Sequence, residues 1–108
     1  MAEEQRKFPR RPLKRAARVV TRNAPPVEGT TIDVSTGGMC LVLDRQLPAG
    51  SPCAVSFDIP VNAFKQSVSA VARVAWSICS SEGFKTGLQF TEIDPASATA
   101  IARFVGGT

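Results

Sequence analysis

The chain has 108 residues, 44% of them hydrophobic, which suits one domain with a single modest core and argues against global disorder. No apolar run approaches the roughly 20 residues of a membrane-spanning helix, and the start, Met1-Ala2-Glu3-Glu4-Gln5, carries no secretory signal, so the expected location is cytoplasmic. The net charge of +4 conceals an asymmetry: Arg6, Lys7, Arg10, Arg11, Lys14, Arg15, Arg18 and Arg22 form one acid-free stretch, while the rest holds five cations and nine acids. Such a concentration points to a polyanionic partner, whether nucleotide, nucleic acid or anionic membrane, or else to a solvated basic tail.

Residues 1–15 are polar and contain Pro9 and Pro12, so they read as a flexible basic arm leading into a domain over 16–108. Short segments of period-two alternation follow, separated by turn signals. Ala17, Val19 and Thr21 share one face of a first strand, ended by Asn23-Ala24-Pro25-Pro26. In a second, Thr30, Ile32 and Val34 are expected to face inward and Thr31, Asp33 and Ser35 outward, with Gly37-Gly38 breaking the strand. Met39, Leu41 and Leu43 alternate in a third, and Val55, Phe57 and Ile59 in a fourth.

The fifth run is the longest: Val68, Ala70, Ala72, Val74, Trp76 and Ile78 occupy every even position, opposite Ser67, Ser69, Arg73 and Ser77. This phase assigns Trp76 to the core, with stacking on a base as the alternative. A turn at Ser80-Ser81-Glu82-Gly83 leads to a sixth strand with Phe84, Leu88 and Phe90 in phase. The period then changes. Asp94 suits an N-cap and Pro95 the first helical position, and Ala98, Ile101, Ala102 and Val105 form a helical stripe. The expected fold is mainly β: a six-stranded closed antiparallel barrel with one short C-terminal α-helix.

Catalysis has little to draw on. The chain has no histidine, and no carboxylate or serine arrangement replaces it. Cys40, Cys53 and Cys79 are widely spaced in apolar segments and read as buried free thiols, without a metal site or cofactor.

Two elements carry recognition chemistry. Arg6-Lys7-Phe8-Pro9-Arg10 places two guanidinium groups four residues apart, and their planar forks match phosphate oxygens and the O6/N7 edge of guanine. In Asp33-Val34-Ser35-Thr36-Gly37-Gly38, a carboxylate can accept from guanine N1–H and the 2-amino group. Ser35 adds a hydroxyl, and Gly38 lets backbone amides approach a ligand. Together they complement a guanine nucleotide.

The order and spacing of these elements resemble the PilZ domain family, with its Arg-x-x-x-Arg arm followed by Asp/Asn-x-Ser-x-x-Gly. Arg10-Arg11-Pro12-Leu13, Thr31 to Gly38, Val74-Ala75-Trp76 and Gly87-Leu88-Gln89-Phe90 extend the likeness over about residues 6–105. The resemblance implies a non-catalytic receptor for cyclic di-GMP. Arg6 and Arg10 would grip phosphates and guanine edges, Asp33 would read a guanine, and Ser35 and Gly38 would complete the pocket. Lys7, which stands where many members carry an arginine, and Arg11, Gly37 and Trp76 are further candidates. A shifted register, Arg11-x-x-x-Arg15, also exists, but Pro12-Leu13 matches the family only with Arg6/Arg10. The implied role is an effector whose arm orders on the ligand and signals to a motility, polysaccharide or secretion component. The alternatives are a protein adaptor that binds no nucleotide, or a nucleic-acid-binding barrel, for which stacking aromatics are few.

Overall fold

The computed structural model describes residues 9–106. The alternating segments become strands β1 (Arg11–Pro12), β2 (Ala16–Thr21), β3 (Val27–Val34), β4 (Gly38–Leu43), β5 (Pro52–Val61), β6 (Phe64–Ser80) and β7 (Gly83–Ile93), followed by helix α1 (Pro95–Gly106). Six long strands pair antiparallel in the order β3-β2-β5-β6-β7-β4, and β3–β4 pairing closes the ring. Closure removes the unpaired edges that an open sheet would leave exposed. Val19, Leu41, Leu43, Val55, Ile59, Val68 and Val74 fill the interior and are fully buried. Each such side chain contributes about 1.5–3 kcal/mol on leaving water. Among the described residues, no helix is long and apolar enough to cross a membrane.

The two-residue strand β1 extends β2 along the same edge of β3. Arg11 pairs with Val34 and Pro12 with Asp33, after which the ladder resumes at Ala16–Thr30. Leu13 N–H donates to the Ile32 carbonyl and Thr31 N–H to the Arg15 carbonyl across the gap, at 3.0 and 2.8 Å. The Thr31 hydroxyl bridges the interruption, donating to the Leu13 carbonyl and accepting from Arg15 N–H. Leu13 itself is buried in the core. The described part of the expected arm, from Pro9 to Arg15, is therefore tied to β3 at its C-terminal end.

Three bulges alter the expected side-chain phases. Between Thr31 and Asp33 the β3–β4 register shifts, leaving Ile32 as the extra residue. Thr31 then points inward in place of Thr30, Ile32 is half-buried, and Val34 returns to the core. In β6, Ala75 is extra between Val74–Leu88 and Trp76–Gly87, and Thr91 is extra in β7. Beyond Ala75 the inward position passes to Ser77, whose hydroxyl lies 3.0 Å from that of the fully buried Thr86. Trp76 and Ile78 turn outward, contrary to the core packing their even positions suggested.

The helix begins as its sequence indicates, with Ser97 N–H donating to Asp94 Oδ2 at 3.1 Å. The hydrogen bonds from Ser97 hold the Asp94 carboxyl below the usual carboxylate range. Its buried face comprises Ser97, Ala100, Ile101 and Phe104, rotated from the expected stripe of Ala98, Ile101, Ala102 and Val105. Phe104 offers far more apolar area than Ala102, and Ser97 is held at the interface by Ser69 N–H at 3.1 Å. Cys40 and Cys53 are buried, whereas Cys79 is exposed near the end of the β6–β7 hairpin, beyond the core.

Candidate functional site

The β3–β4 connection is a tight turn organised by Ser35. Its hydroxyl accepts from Gly37 and Gly38 N–H at 3.2 and 3.1 Å and donates to the Gly38 carbonyl at 3.1 Å. Ser35 N–H also donates to that carbonyl, at 2.8 Å. Ser35 is only 2% exposed. The expectation that Asp33 and Ser35 are presented outward together thus holds for Asp33 alone; the serine shapes the loop from beneath. Gly38 is demanded by crowding: a Cβ there would collide with the Leu88 carbonyl of β7. It is not among the residues at positive φ, so close approach, and not unusual backbone geometry, requires glycine.

Beside this turn lies a cleft of about 400 Å³, within the range of small-molecule sites at roughly 300–1,000 Å³. At its edge Arg10 Nη1 donates to Asp33 Oδ1 at 2.8 Å, with the two side chains 51% and 27% exposed. Pro12 pairs with Asp33 in the β1–β3 ladder, which delivers Arg10 to that carboxylate. The other wall is Trp76, 40% exposed, turned outward by the Ala75 bulge. Its indole lies against Gly87, where an added Cβ would come within 2.6 Å of Nε1. Gly87 therefore lets a flat ring rest on the β7 backbone.

Cys40 forms part of the floor, between Asp33 on β3 and Gly87 on β7. Burial pushes its thiol up and the Asp33 carboxylate adds to this, against a partial offset from Lys85 and Arg10. A thiol kept neutral is a poor nucleophile, so Cys40 serves as a small apolar floor tile. Among the described residues, Arg10, Asp33 and Lys85 are the charged ones lining the cleft, giving it a net positive balance. The arrangement offers an aromatic face, an acceptor carboxylate and two cations within one concavity. That set suits a planar base bearing N–H donors and an attached phosphate.

The PilZ domain family model matches residues 4–107. The chain belongs to the PilZ domain family. In fold it is similar to the Bacillus subtilis inhibitor of motility (MotI/DgrA), with a TM-score of 0.83 at 16% identity over 94% of this chain. The chain spans about half of that protein, 49% of its length. It is also similar to the PilZ domain of YcgR from Escherichia coli, solved with c-di-GMP, with a TM-score of 0.66 at 14% identity. That match covers 95% of this chain and 90% of the other. A third similarity is to the PilZ domain of CeSA from a cellulose-synthesizing bacterium, with a TM-score of 0.55 at 22% identity, covering 91% and 95% of the two chains. No curated protein matches the sequence.

In this PilZ domain Arg10, Asp33, Ser35, Gly37, Gly38 and Trp76 line one cleft. Arg6 and Lys7 lie outside the described residues. Arg11 is directed elsewhere: its guanidinium donates to the Phe104 carbonyl at 2.7 Å and lies 4.4 Å from the centre of that ring. Neighbours on a strand point to opposite faces, so Arg10 and Arg11 serve different surfaces. Lys85, Gly87 and Gln89 escaped the sequence reading as site residues. Their signal was available in the period of β7, where odd positions alternate with the inward Thr86 and Leu88 and share one outer face.

Proposed function

We propose that this PilZ domain is a non-catalytic receptor for cyclic di-GMP, which binds in the cleft between the Ser35–Gly38 turn and Trp76. The observation that carries the reading is the Arg10–Asp33 pair at the mouth of a cleft with a half-exposed indole as one wall. Asp33 accepts from a guanine's N1–H and 2-amino group, Arg10 and Lys85 contact phosphate, and the indole stacks on a base. Arg6 and Lys7, by the family motif, close over the ligand and order the segment before Arg10. Membership of the PilZ family, and a fold shared with a YcgR domain solved with c-di-GMP, support the same ligand class. The ordered segment and bound nucleotide together then present an altered surface to a downstream protein.

The test is calorimetry with cyclic di-GMP, GMP and GTP at near-physiological salt. Cyclic di-GMP should bind far more tightly than either mononucleotide, because two guanines and two phosphates engage together. An affinity equal to or below that for GTP would refute the assignment.

A further inference from the structure

A second concavity of about 510 Å³ lies between the last turns of α1 and the β5–β6 hairpin, lined in part by Arg11, Val61, Asn62, Arg103 and Phe104. It continues past Val61 and Arg103 into a groove of about 420 Å³ along the helix, beside Gln66 and Thr99. Neither shares a lining residue with the cleft, and among the described residues no carboxylate lines either one. Two guanidinium groups therefore stand on its walls without a carboxylate of the described residues to oppose them.

Part of this has an internal explanation. Arg11 satisfies the Phe104 carbonyl at the helix end, and Arg103 in the last turn suits the helix dipole. Phe64 has none. It is 79% exposed, more than any other large apolar side chain of the described residues, and it directly follows the two-residue turn at Asn62-Ala63. It pairs across the hairpin with Val61, so both side chains rise on the face that borders the groove.

We propose that this groove is a docking surface for an acidic segment of a partner protein. Carboxylates of the partner pair with Arg103 and with the free edge of Arg11, and an apolar side chain beside them packs against Val61 and Phe64. Charge complementarity selects that occupant: two guanidinium groups with no carboxylate of the described residues beside them attract an acidic chain, and the exposed Phe64 at the groove's border sets where it lands. Two cations make too few phosphate contacts for nucleic acid, and one phenylalanine buries too little for a bilayer. The surface is also wired to the cleft. Arg10 and Arg11 are consecutive residues, so a ligand that draws Arg10 from Asp33 acts one peptide unit from the arginine on the groove wall. This linkage rests on the function proposed above; the docking does not. Coupling of this kind is reciprocal, so each ligand changes the other's affinity by one factor.

The experiment is an amide-shift titration of the full chain with a short synthetic peptide of glutamates around one leucine. Its lysine counterpart, phosphatidylglycerol vesicles and single-stranded DNA serve as comparison probes. Docking predicts saturable shifts centred on Arg11 and on residues 60–66 and 99–106. Arg103→Glu and Phe64→Ser, both at exposed sites, should each weaken the glutamate peptide about tenfold while leaving the free spectrum and cyclic di-GMP affinity unchanged. Equal binding of the lysine peptide, stronger effects of vesicles or DNA at those residues, or undiminished peptide affinity in Arg103→Glu would overturn the docking. If cyclic di-GMP binds but leaves peptide affinity unaltered, the linkage is wrong; if cyclic di-GMP fails to bind while the peptide docks, only the cleft assignment falls.

Discussion

Replacing Arg10 by alanine should separate stability from ligand affinity. The side chain reaches Asp33 at 2.8 Å, but it is 51% exposed and its partner 27% exposed, so water screens the pair. Ion pairs of this kind contribute about 0.2–1 kcal/mol to folding. For a domain near 100 residues, 1 kcal/mol displaces Tm by roughly 4–8 °C, so Arg10→Ala should melt only a few degrees lower. On a bound nucleotide the same guanidinium makes a charge-assisted contact, worth about 1.5–3 kcal/mol, or roughly ten- to hundredfold in affinity. Calorimetry with cyclic di-GMP, alongside thermal melts, measures both quantities. Asp33→Ala adds a second discrimination. If Asp33 reads a guanine, its loss weakens binding by a similar factor; if it only latches Arg10, its loss frees the guanidinium and strengthens binding. Unchanged affinity in Arg10→Ala, or a loss matched by unfolding, would refute the placement of the ligand.

Three further outcomes are expected. Gly87→Ala puts a methyl group into the space of the Trp76 indole, so tryptophan emission should shift and cyclic di-GMP affinity should fall, while mononucleotide and apo stability controls report any wider damage. Thiol labelling should modify exposed Cys79 first and leave Cys40 and Cys53 slow, since burial raises both thiols and keeps them neutral near pH 7; saturating cyclic di-GMP should slow Cys40 further and leave Cys53 unaffected. Because the folded-state pKa of Asp94 is depressed, its N-cap contribution is present above the ordinary carboxylate range and lost as pH falls through the folded value. Asp94→Ala should therefore lower Tm at neutral pH and flatten the acid limb of stability, as followed by circular dichroism.

Period-two alternation in residues 17–21, 39–43, 55–59 and 68–74 was sufficient to locate the barrel strands, because each has one face packed on a common core. The Asp94-Pro95 start of α1 was likewise legible from residue type and local order, whereas Arg10 and Asp33 stood out as candidates through the family resemblance and the structure brings them together. What pattern alone could not supply was the phase beyond each bulge. A single extra residue at Ala75 reverses every later side chain in β6, converting Trp76 from an expected core residue into a cleft wall. The bulge at Ile32 likewise brings Thr31 inward to bridge the gap between β1 and β2.

Ser35 and Arg11 teach the same distinction at the level of single residues. A serine and two glycines after Asp33 mark a turn from the residues alone, because turn chemistry is local. The Ser35 hydroxyl is consumed within that turn, by Gly37 and Gly38, whereas Gly38 and Gly87 are required by a neighbouring strand and an indole that come from elsewhere in the chain. Arg10 and Arg11 are chemically alike and adjacent, yet one meets Asp33 and the other Phe104, which lies 93 positions further along. Alternation separates the two guanidinium groups, but their partners come from barrel closure and helix docking, long-range events that no local spacing encodes.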